Sequence, residues 1–379
     1  MDLTLNEEQR MVQETARRFA EHEVAPIAAE MDAKGEVPFA AIRKMAQLGF
    51  LGLTAPEEYG GGGADTVSYV LALEEISKAC ASTAVVMAVQ NSLFNYPLSV
   101  FGTEEQKERF LRPAAQGEKI GAFALTEPEA GSDAAAQRTT AVRDGDVYVL
   151  NGTKHFITNG PFADLVLLFA MTDKSQGHRG ISAFLVEKGT PGFSVGKVEH
   201  KMGIRASATS ELVFEDCQVP VENRLGQEGE GFKIAMQALD AGRIGIGAQA
   251  VGISRAAYET ALRYAKERHQ FGQPIARFQA IQWMLADMVT RIEASHLLTL
   301  QAALKHDAGE RHTLESAMCK LFASETASFV TDCAIQILGG YGYMQEYPVE
   351  RYYRDARITR IYEGTNEIQR LVIANQILR

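Results

Sequence analysis

The stretch Ile361-Tyr362-Glu363-Gly364-Thr365-Asn366-Glu367-Ile368 sets a carboxylate between a bulky aromatic residue and a glycine, just ahead of a helix start. Thr365 is a good N-cap, and Ile368, Leu371, Val372 and Ile377 after it fall on one helical face. The spacing therefore predicts Glu363 on a loop at the mouth of a packed helix. A carboxylate there can serve as a general base if its surroundings keep it poised for a proton. An exposed loop glutamate is the other reading.

Four further segments carry ligand-binding chemistry beside a bland reading. Phe123-Ala124-Leu125-Thr126-Glu127-Pro128-Glu129-Ala130-Gly131-Ser132-Asp133 offers two hydroxyls and a glycine that lets backbone approach a ligand, or else a turn-rich domain entry. Phe156-Ile157-Thr158-Asn159-Gly160 puts an aromatic and a hydroxyl at a strand end, where they suit a flat ring and its polar edge, or a plain β core. Gln336-Ile337-Leu338-Gly339-Gly340-Tyr341-Gly342-Tyr343 has three glycines after a helix; a C-cap accounts for one of them, and close backbone approach to a ligand for the rest. Arg268 in Glu267-Arg268-His269-Gln270-Phe271-Gly272 has the forked donors that suit a pyrophosphate, or is a surface arginine. Gly245-Ile246-Gly247-Ala248-Gln249-Ala250 matches a dinucleotide pattern but lies in a helical run without a preceding strand, so it reads as close helix packing.

The elements that must position these residues fall into three blocks, an α+β class. Residues 1–120 read as an N-terminal α-helical domain. Asn6 caps a helix running to a stop at Val24-Ala25-Pro26, and Phe39, Ile42, Met45 and Ala46 share one face of the next. Thr66 to Met87 reads as one buried helix, and Thr103 with Gln106 as a capping box. Residues 121–228 carry hairpin punctuation at Asp144-Gly145, Asn151-Gly152 and Asn159-Gly160, which predicts a middle antiparallel β-barrel or sandwich domain. Residues 229–379 return to helical spacing at 231–266, 274–306, 313–338 and 365–378, which predicts a C-terminal four-helix bundle. No βαβ alternation occurs, so a doubly wound nucleotide-binding sheet is excluded as the main architecture. Trp283 is expected in the core. Arg351, Arg354, Arg357 and Arg360, interleaved with Glu350 and Asp355, are expected on a solvated face.

The 379 residues allow several domains, and a net charge of −10 argues against a general nucleic-acid surface. No run approaches the roughly 18 apolar residues of a membrane span. The charged N-terminus resembles neither a secretory signal nor a transit peptide. Cys80, Cys217, Cys319 and Cys333 and the eight histidines are dispersed, so reduced thiols and no metal site are expected. A cytoplasmic location follows, or the mitochondrial matrix for a mature eukaryotic form.

Taken in order, FALTEPEAGSD, FITNG, ISAFLVEK, GIRASAT, LVFEDCQVP, ERHQFG, QILGGYGY, YRDARI and IYEGTNEIQRL resemble the acyl-CoA dehydrogenase family over essentially the whole chain. The resemblance is strongest to short-chain, butyryl-CoA-type members through ACASTAVVMAVQNSL and GFKIAMQALDAGRIGIGAQAVG. It implies FAD as cofactor, an acyl-CoA substrate, an electron-transferring flavoprotein as acceptor, and a homotetramer built as a dimer of dimers. The implied reaction is α,β-dehydrogenation to the trans-2-enoyl-CoA, with Glu363 as α-proton base and the β-hydride going to flavin N5. By the same resemblance Phe123, Leu125, Thr126, Gly131, Ser132, Phe156, Ile157 and Thr158 hold the flavin ring. Arg268, Phe271, Gln279, Gln336, Gly339 and Gly340 contact the FAD of a neighbouring subunit, and Thr365, Asn366 and Glu367 close on FAD from the same one. Ser132, Asp240, Arg243, Tyr362 and Gly364 are implied acyl-CoA contacts.

The chain departs from the family pattern in three places. Phe156 stands where tryptophan is commoner. Some relatives carry their base near position 242, which here is Gly242 and cannot act as one. The arginine of glutaryl-CoA enzymes is missing from residues 80–87. Short/branched-chain members (2-methylacyl or isobutyryl) and other flavoenzymes on the fold, such as a monooxygenase or nitroalkane oxidase, are the alternative enzymes, and a non-catalytic assembly or acyl-CoA-binding protein is the alternative class. At Glu363 two effects oppose one another. The helix N-terminus stabilises the carboxylate by about 0.3–1 kcal/mol, whereas burial raises its pKa, and burial is expected to win once substrate excludes water.

Overall fold

The computed structural model describes residues 4–378. The N-terminal helices are α1 (Glu7–Phe19), α2 (Ala25–Lys34), α3 (Phe39–Gln47), α4 (Thr66–Ala79), α5 (Ala81–Ala88), α6 (Tyr96–Phe101), α7 (Glu104–Gln106) and α8 (Arg112–Ala115). The Asn6 capping box forms, with Asn6 accepting from the Gln9 amide, and so does the Thr103–Gln106 box. The expected stop at Pro26 does not occur. A π-helical turn over Ala20–Val24 carries α1 into α2, and Pro26 follows directly on that turn as the second residue of α2. The single helix expected over Thr66–Met87 breaks at Cys80, whose backbone is extended (φ −158°, ψ 111°). The buried Gln249 side chain donates to the Ala81 carbonyl at 2.9 Å just past that break.

Eight strands follow: β1 (Gly121–Ala124), β2 (Thr140–Asp144), β3 (Val147–Thr158), β4 (Leu165–Met171), β5 (Ile181–Glu187), β6 (Phe193–Val198), β7 (Thr209–Pro220) and β8 (Arg224–Leu225). The sheet order is β6-β7-β3-β2-β4-β5-β8, with β1 also on β4. Most pairings are antiparallel, but β1 and β2 each run parallel to β4, so the sheet is mixed. The turn expected at Asn151-Gly152 is instead a bulge inside the long β3, marked by a register shift between Leu150 and Gly152. A Cβ on Gly152 would lie 2.5 Å from the Thr139 hydroxyl, so only glycine lets the strand pass there.

The C-terminal block holds α9 (Gly231–Glu267), a short hairpin of β9 (His269–Gln270) and β10 (Gln273–Pro274), α10 (Gln279–Asp307), α11 (Thr313–Leu338), α12 (Val349–Ala356) and α13 (Asn366–Ile377). The glycine pattern inside α9 serves packing, as expected. A Cβ on Gly245 would meet the Tyr69 hydroxyl at 2.6 Å, and one on Gly247 would meet Thr299 Oγ1 at 3.0 Å.

Three expectations about burial fail. Trp283 is 64% exposed, because the first turns of α10 pack inward through Ile281, Met284 and Leu285 and leave Trp283 on the outer face. In α13, Leu371 and Ile377 are exposed, and the buried residues are Asn366 and Gln369, which bond to groups beneath them. The arginine row is not a solvated face: Arg351 and Asp355 are buried. Arg354 there donates to Asp32 at 2.7 and 3.2 Å and to Glu350 at 2.7 Å, tying α12 to α2. All four cysteines are buried free thiols. Among the described residues no helix is long and apolar enough to cross a membrane.

Candidate active site

Glu363 lies in a turn that the sequence makes costly. Its φ is +53°, and that of Gly364 is +91°. A left-handed backbone costs a non-glycine residue about 1–2 kcal/mol, so the surroundings must hold it. They do so from three helices. Thr365 caps α13 by accepting from the Ile368 amide at 3.3 Å. Gln369 of α13 donates to the carbonyls of Glu363 at 3.1 Å and Gly364 at 2.9 Å. Lys320 of α11 donates to the Gly364 carbonyl at 2.7 Å and to Asn366 Oδ1 at 3.1 Å. From α9, Gln249 accepts a hydrogen bond from the Tyr362 hydroxyl.

The residue is half-buried as a whole, but its carboxyl points inward, and Oε2 is buried without a hydrogen-bond partner among the described residues. A Cβ on Gly242 would fall 2.1 Å from that oxygen, so glycine at 242 is what leaves the carboxyl its place. Burial pushes the Glu363 pKa up to about 7, against the opposing pull of the Lys320 and Arg243 cations. Around the carboxyl, Val85, Val89, Leu93 and Ala238 form an apolar cluster, with Phe123, Leu239 and Tyr362 packed on it. Phe123 of β1 and Tyr362 thus pack on one cluster from different domains. Arg243 is buried, donates to Asp240 at 2.6 Å and leaves its Nε unpartnered; Asp240 also accepts from Thr313 at 2.7 Å.

The expected flavin-ring residues gather at the end of β3 and the loop after β1. The His155 amide donates to the Thr126 carbonyl at 2.8 Å, which sets the two segments side by side. Leu125 and Ile157 are buried, Thr126 and Thr158 half-buried, and Gly131 and Ser132 exposed. Phe156 is 61% exposed with φ +58°. An exposed aromatic in a strained conformation suits a ligand platform. Beneath the loop, the buried Lys154 ammonium donates to the Leu125 carbonyl at 3.0 Å and to Glu127 and Gln137 at 2.8 Å each.

The second expected group is elsewhere. Arg268, Gly339 and Gly340 line a cavity of about 520 Å³ with Tyr264, Gln270 and Tyr341. The Arg268 guanidinium lies 5.6 Å from the Tyr341 ring centroid. Open space lies where a Cβ on Gly339 or Gly340 would sit. Phe271, 92% exposed with φ +52°, tops the β9–β10 hairpin, and Gln279 and Gln336 are exposed nearby in the chain. Arg243 lies within α9 and Arg268 just past its C-terminal end, about 40 Å apart at 1.5 Å per residue, so one protomer does not bring the two groups together.

Sequence reasoning missed Lys320, Gln369, Gln249 and Lys154. Lys320 and Gln249 are each one polar side chain among small or apolar neighbours, as in Ala317-Met318-Cys319-Lys320-Leu321-Phe322-Ala323, and that isolation was the available signal; Gln369 and Lys154 have polar neighbours and carried none. A trio of His155, Glu199 and Glu211 has metal-ligand types, but Lys197 already bonds Glu199 at 2.9 Å.

Descriptions of the acyl-CoA dehydrogenase N-terminal, middle and C-terminal domains match residues 6–118, 122–217 and 229–378. The chain belongs to the acyl-CoA dehydrogenase family and is an enzyme of that kind. It is 53% identical over 379 residues, all of both chains, to the short-chain specific acyl-CoA dehydrogenase of Clostridium acetobutylicum. It superposes on butyryl-CoA dehydrogenase from Megasphaera elsdenii with a TM-score of 0.99 at 50% identity, covering 100% of both chains. It matches equally well, with a TM-score of 0.99 at 54% identity and 100% of both chains covered, a chain solved in work on the electron transferring flavoprotein of Acidaminococcus fermentans and flavin-based electron bifurcation.

Proposed function

We propose that this protein dehydrogenates short-chain acyl-CoA thioesters, with Glu363 as the base that removes the α-proton. The buried Glu363 carboxyl beside Gly242, next to Leu93 of the packed apolar cluster Val85, Val89, Leu93 and Ala238, carries this reading. A carboxyl poised near neutrality can accept a proton from a weak carbon acid and release it again. The likeness to a short-chain specific acyl-CoA dehydrogenase and to butyryl-CoA dehydrogenase supports a short acyl group.

The cofactor is FAD. The exposed Phe156 ring, the open backbone at Gly339-Gly340 and the exposed Arg268 fork fit a flat ring and a pyrophosphate. When bound, FAD supplies the acceptor for the β-hydrogen. Phe123, Leu125, Thr126, Gly131, Ser132, Phe156, Ile157 and Thr158 would hold its ring, with Thr365, Asn366 and Glu367 closing on it. Arg268, Phe271, Gln279, Gln336, Gly339 and Gly340 would hold the FAD of a neighbouring subunit. The separation of the two groups along α9 supports that division, and with it a homotetramer.

The chain's own residues do the remaining work. The Glu363 N–H donates to the thioester oxygen, a contact of the oxyanion kind worth about 3–4 kcal/mol in well-studied enzymes. Asp240, Arg243, Ser132 and Gly364 orient the CoA ester, while Tyr362 and Leu93 exclude water from the reacting carbons. An electron-transferring flavoprotein takes up the electrons.

Anaerobic titration of the flavin band across a series of acyl-CoAs tests cofactor, reaction and chain length together. Butyryl-CoA should bleach the band fastest, and chains of eight or more carbons poorly. No bleaching by any acyl-CoA, or a preference for long chains, would sink the reading.

A further inference from the structure

Two lysines are wholly buried in this fold, and they are partnered differently. Lys154 meets Glu127 directly at 2.8 Å. Lys320, also 0% exposed, has no carboxylate oxygen within 4.0 Å among the described residues. Its two acceptors are neutral, the Gly364 carbonyl and Asn366 Oδ1, and Ser324 shares the second at 3.1 Å. Burying an ammonium without a contact ion pair is unfavourable unless a nearby anion offsets it. The carbonyl it grips belongs to the residue after Glu363.

We propose that Lys320 is a positioning residue for the base: its ammonium pins the strained Glu363-Gly364 turn and, through its charge, holds Glu363 as the carboxylate that substrate requires. This rests on Glu363 being the base.

The charges around the carboxyl single out Lys320. Arg243 approaches from α9, but its charge is already compensated by Asp240 at 2.6 Å. Tyr69 faces the carboxyl from α4 and is pushed well above its ordinary range by burial and then by Glu363, so it stays neutral. Glu367 on α13 and Arg360 before the turn act on Lys320 with opposite signs. Of the two cations that lower the Glu363 pKa, Lys320 acts more strongly and is the one without a contact ion pair among the described residues. Burial brings its pKa down to about 7, opposed first by the attraction of Glu363. The same attraction lowers the Glu363 pKa that burial raises.

Without the cation, Glu363 holds its proton to a higher pH. A base works deprotonated, so the rate should fail at a higher pH as pH is lowered. The test is kcat/KM against pH for the FAD-loaded wild type, Lys320→Gln and Lys320→Arg. Gln keeps an N–H donor and removes the charge; Arg keeps the charge. The acid limb of the Gln variant should move up by about 1 pH unit, as expected for the loss of one nearby opposite charge, and that of the Arg variant should stay in place. Lys320→Met replaces Gln if the latter loses its flavin, with the same limb shift expected. A merely structural lysine would lower kcat and leave the limb where it is. An unmoved limb in the neutral variants, or an equal shift in Arg, overturns the proposal. Failure of the base assignment is read separately, because Glu363→Gln would then still bleach the flavin.

Discussion

At the residue scale the site depends on a carboxyl that has been denied a hydrogen-bond partner. Glu363 Oε2 is buried and unpartnered among the described residues, and burial outweighs both cations that lower its pKa. Burial is the largest influence on this carboxyl and pushes its pKa up to about 7. Gly242 is part of the same device, since a methyl there would press on Oε2 from 2.1 Å. Gly242→Ala should therefore keep its flavin and lose flavin reduction by about 10²-fold, the size of effect a 1 Å misplacement brings. Rapid-mixing bleaching with butyryl-CoA reads this directly, and an unaltered rate would mean that the carboxyl does not need this place.

At the scale of elements, helices α9 and α11 form a rigid frame, and short segments are pinned to it or to the sheet by single polar side chains. Lys154 is the clearest case in the β domain: one buried ammonium holds the loop after β1 through Leu125, Glu127 and Gln137. Lys154→Met strands Glu127 as an uncompensated buried charge, which costs about 3–5 kcal/mol. A thermal melt should show that loss together with reduced flavin content, and adding Glu127→Gln should recover part of the stability. A single variant that melts like the wild type would refute this. The frame was legible in the sequence, where α11 has the expected span Thr313–Leu338, because apolar spacing over seven turns leaves little ambiguity. The pins were not, because a lysine or glutamine at a helical position carries no sign of which loop will reach it. The same blindness explains α13, whose buried face is Asn366 and Gln369, and the arginine row, whose partner Asp32 is remote in sequence. Period reasoning also missed the break at Cys80 and the bulge at Gly152, where one backbone angle rather than a run of side chains decides.

At the scale of the whole molecule, two ligand-type groups lie far apart along α9, and the C-terminal block exposes several large apolar side chains. Phe271 is 92%, Trp283 64%, Ile377 65% and Leu378 82% exposed. In the proposed homotetramer these side chains would be covered by a neighbouring subunit. Trp283 was expected in a core, and periodicity cannot tell a core within one chain from one between chains. Trp283→Glu should shift the assembly toward smaller species in light scattering and release FAD in parallel. Dissociated protein that kept its flavin would contradict shared cofactor sites. The most direct test of the whole account removes only the proton acceptor. Glu363→Gln should stay yellow, bind butyryl-CoA with a perturbed flavin spectrum, and fail to bleach anaerobically. Bleaching by that variant at the wild-type rate would place the base elsewhere.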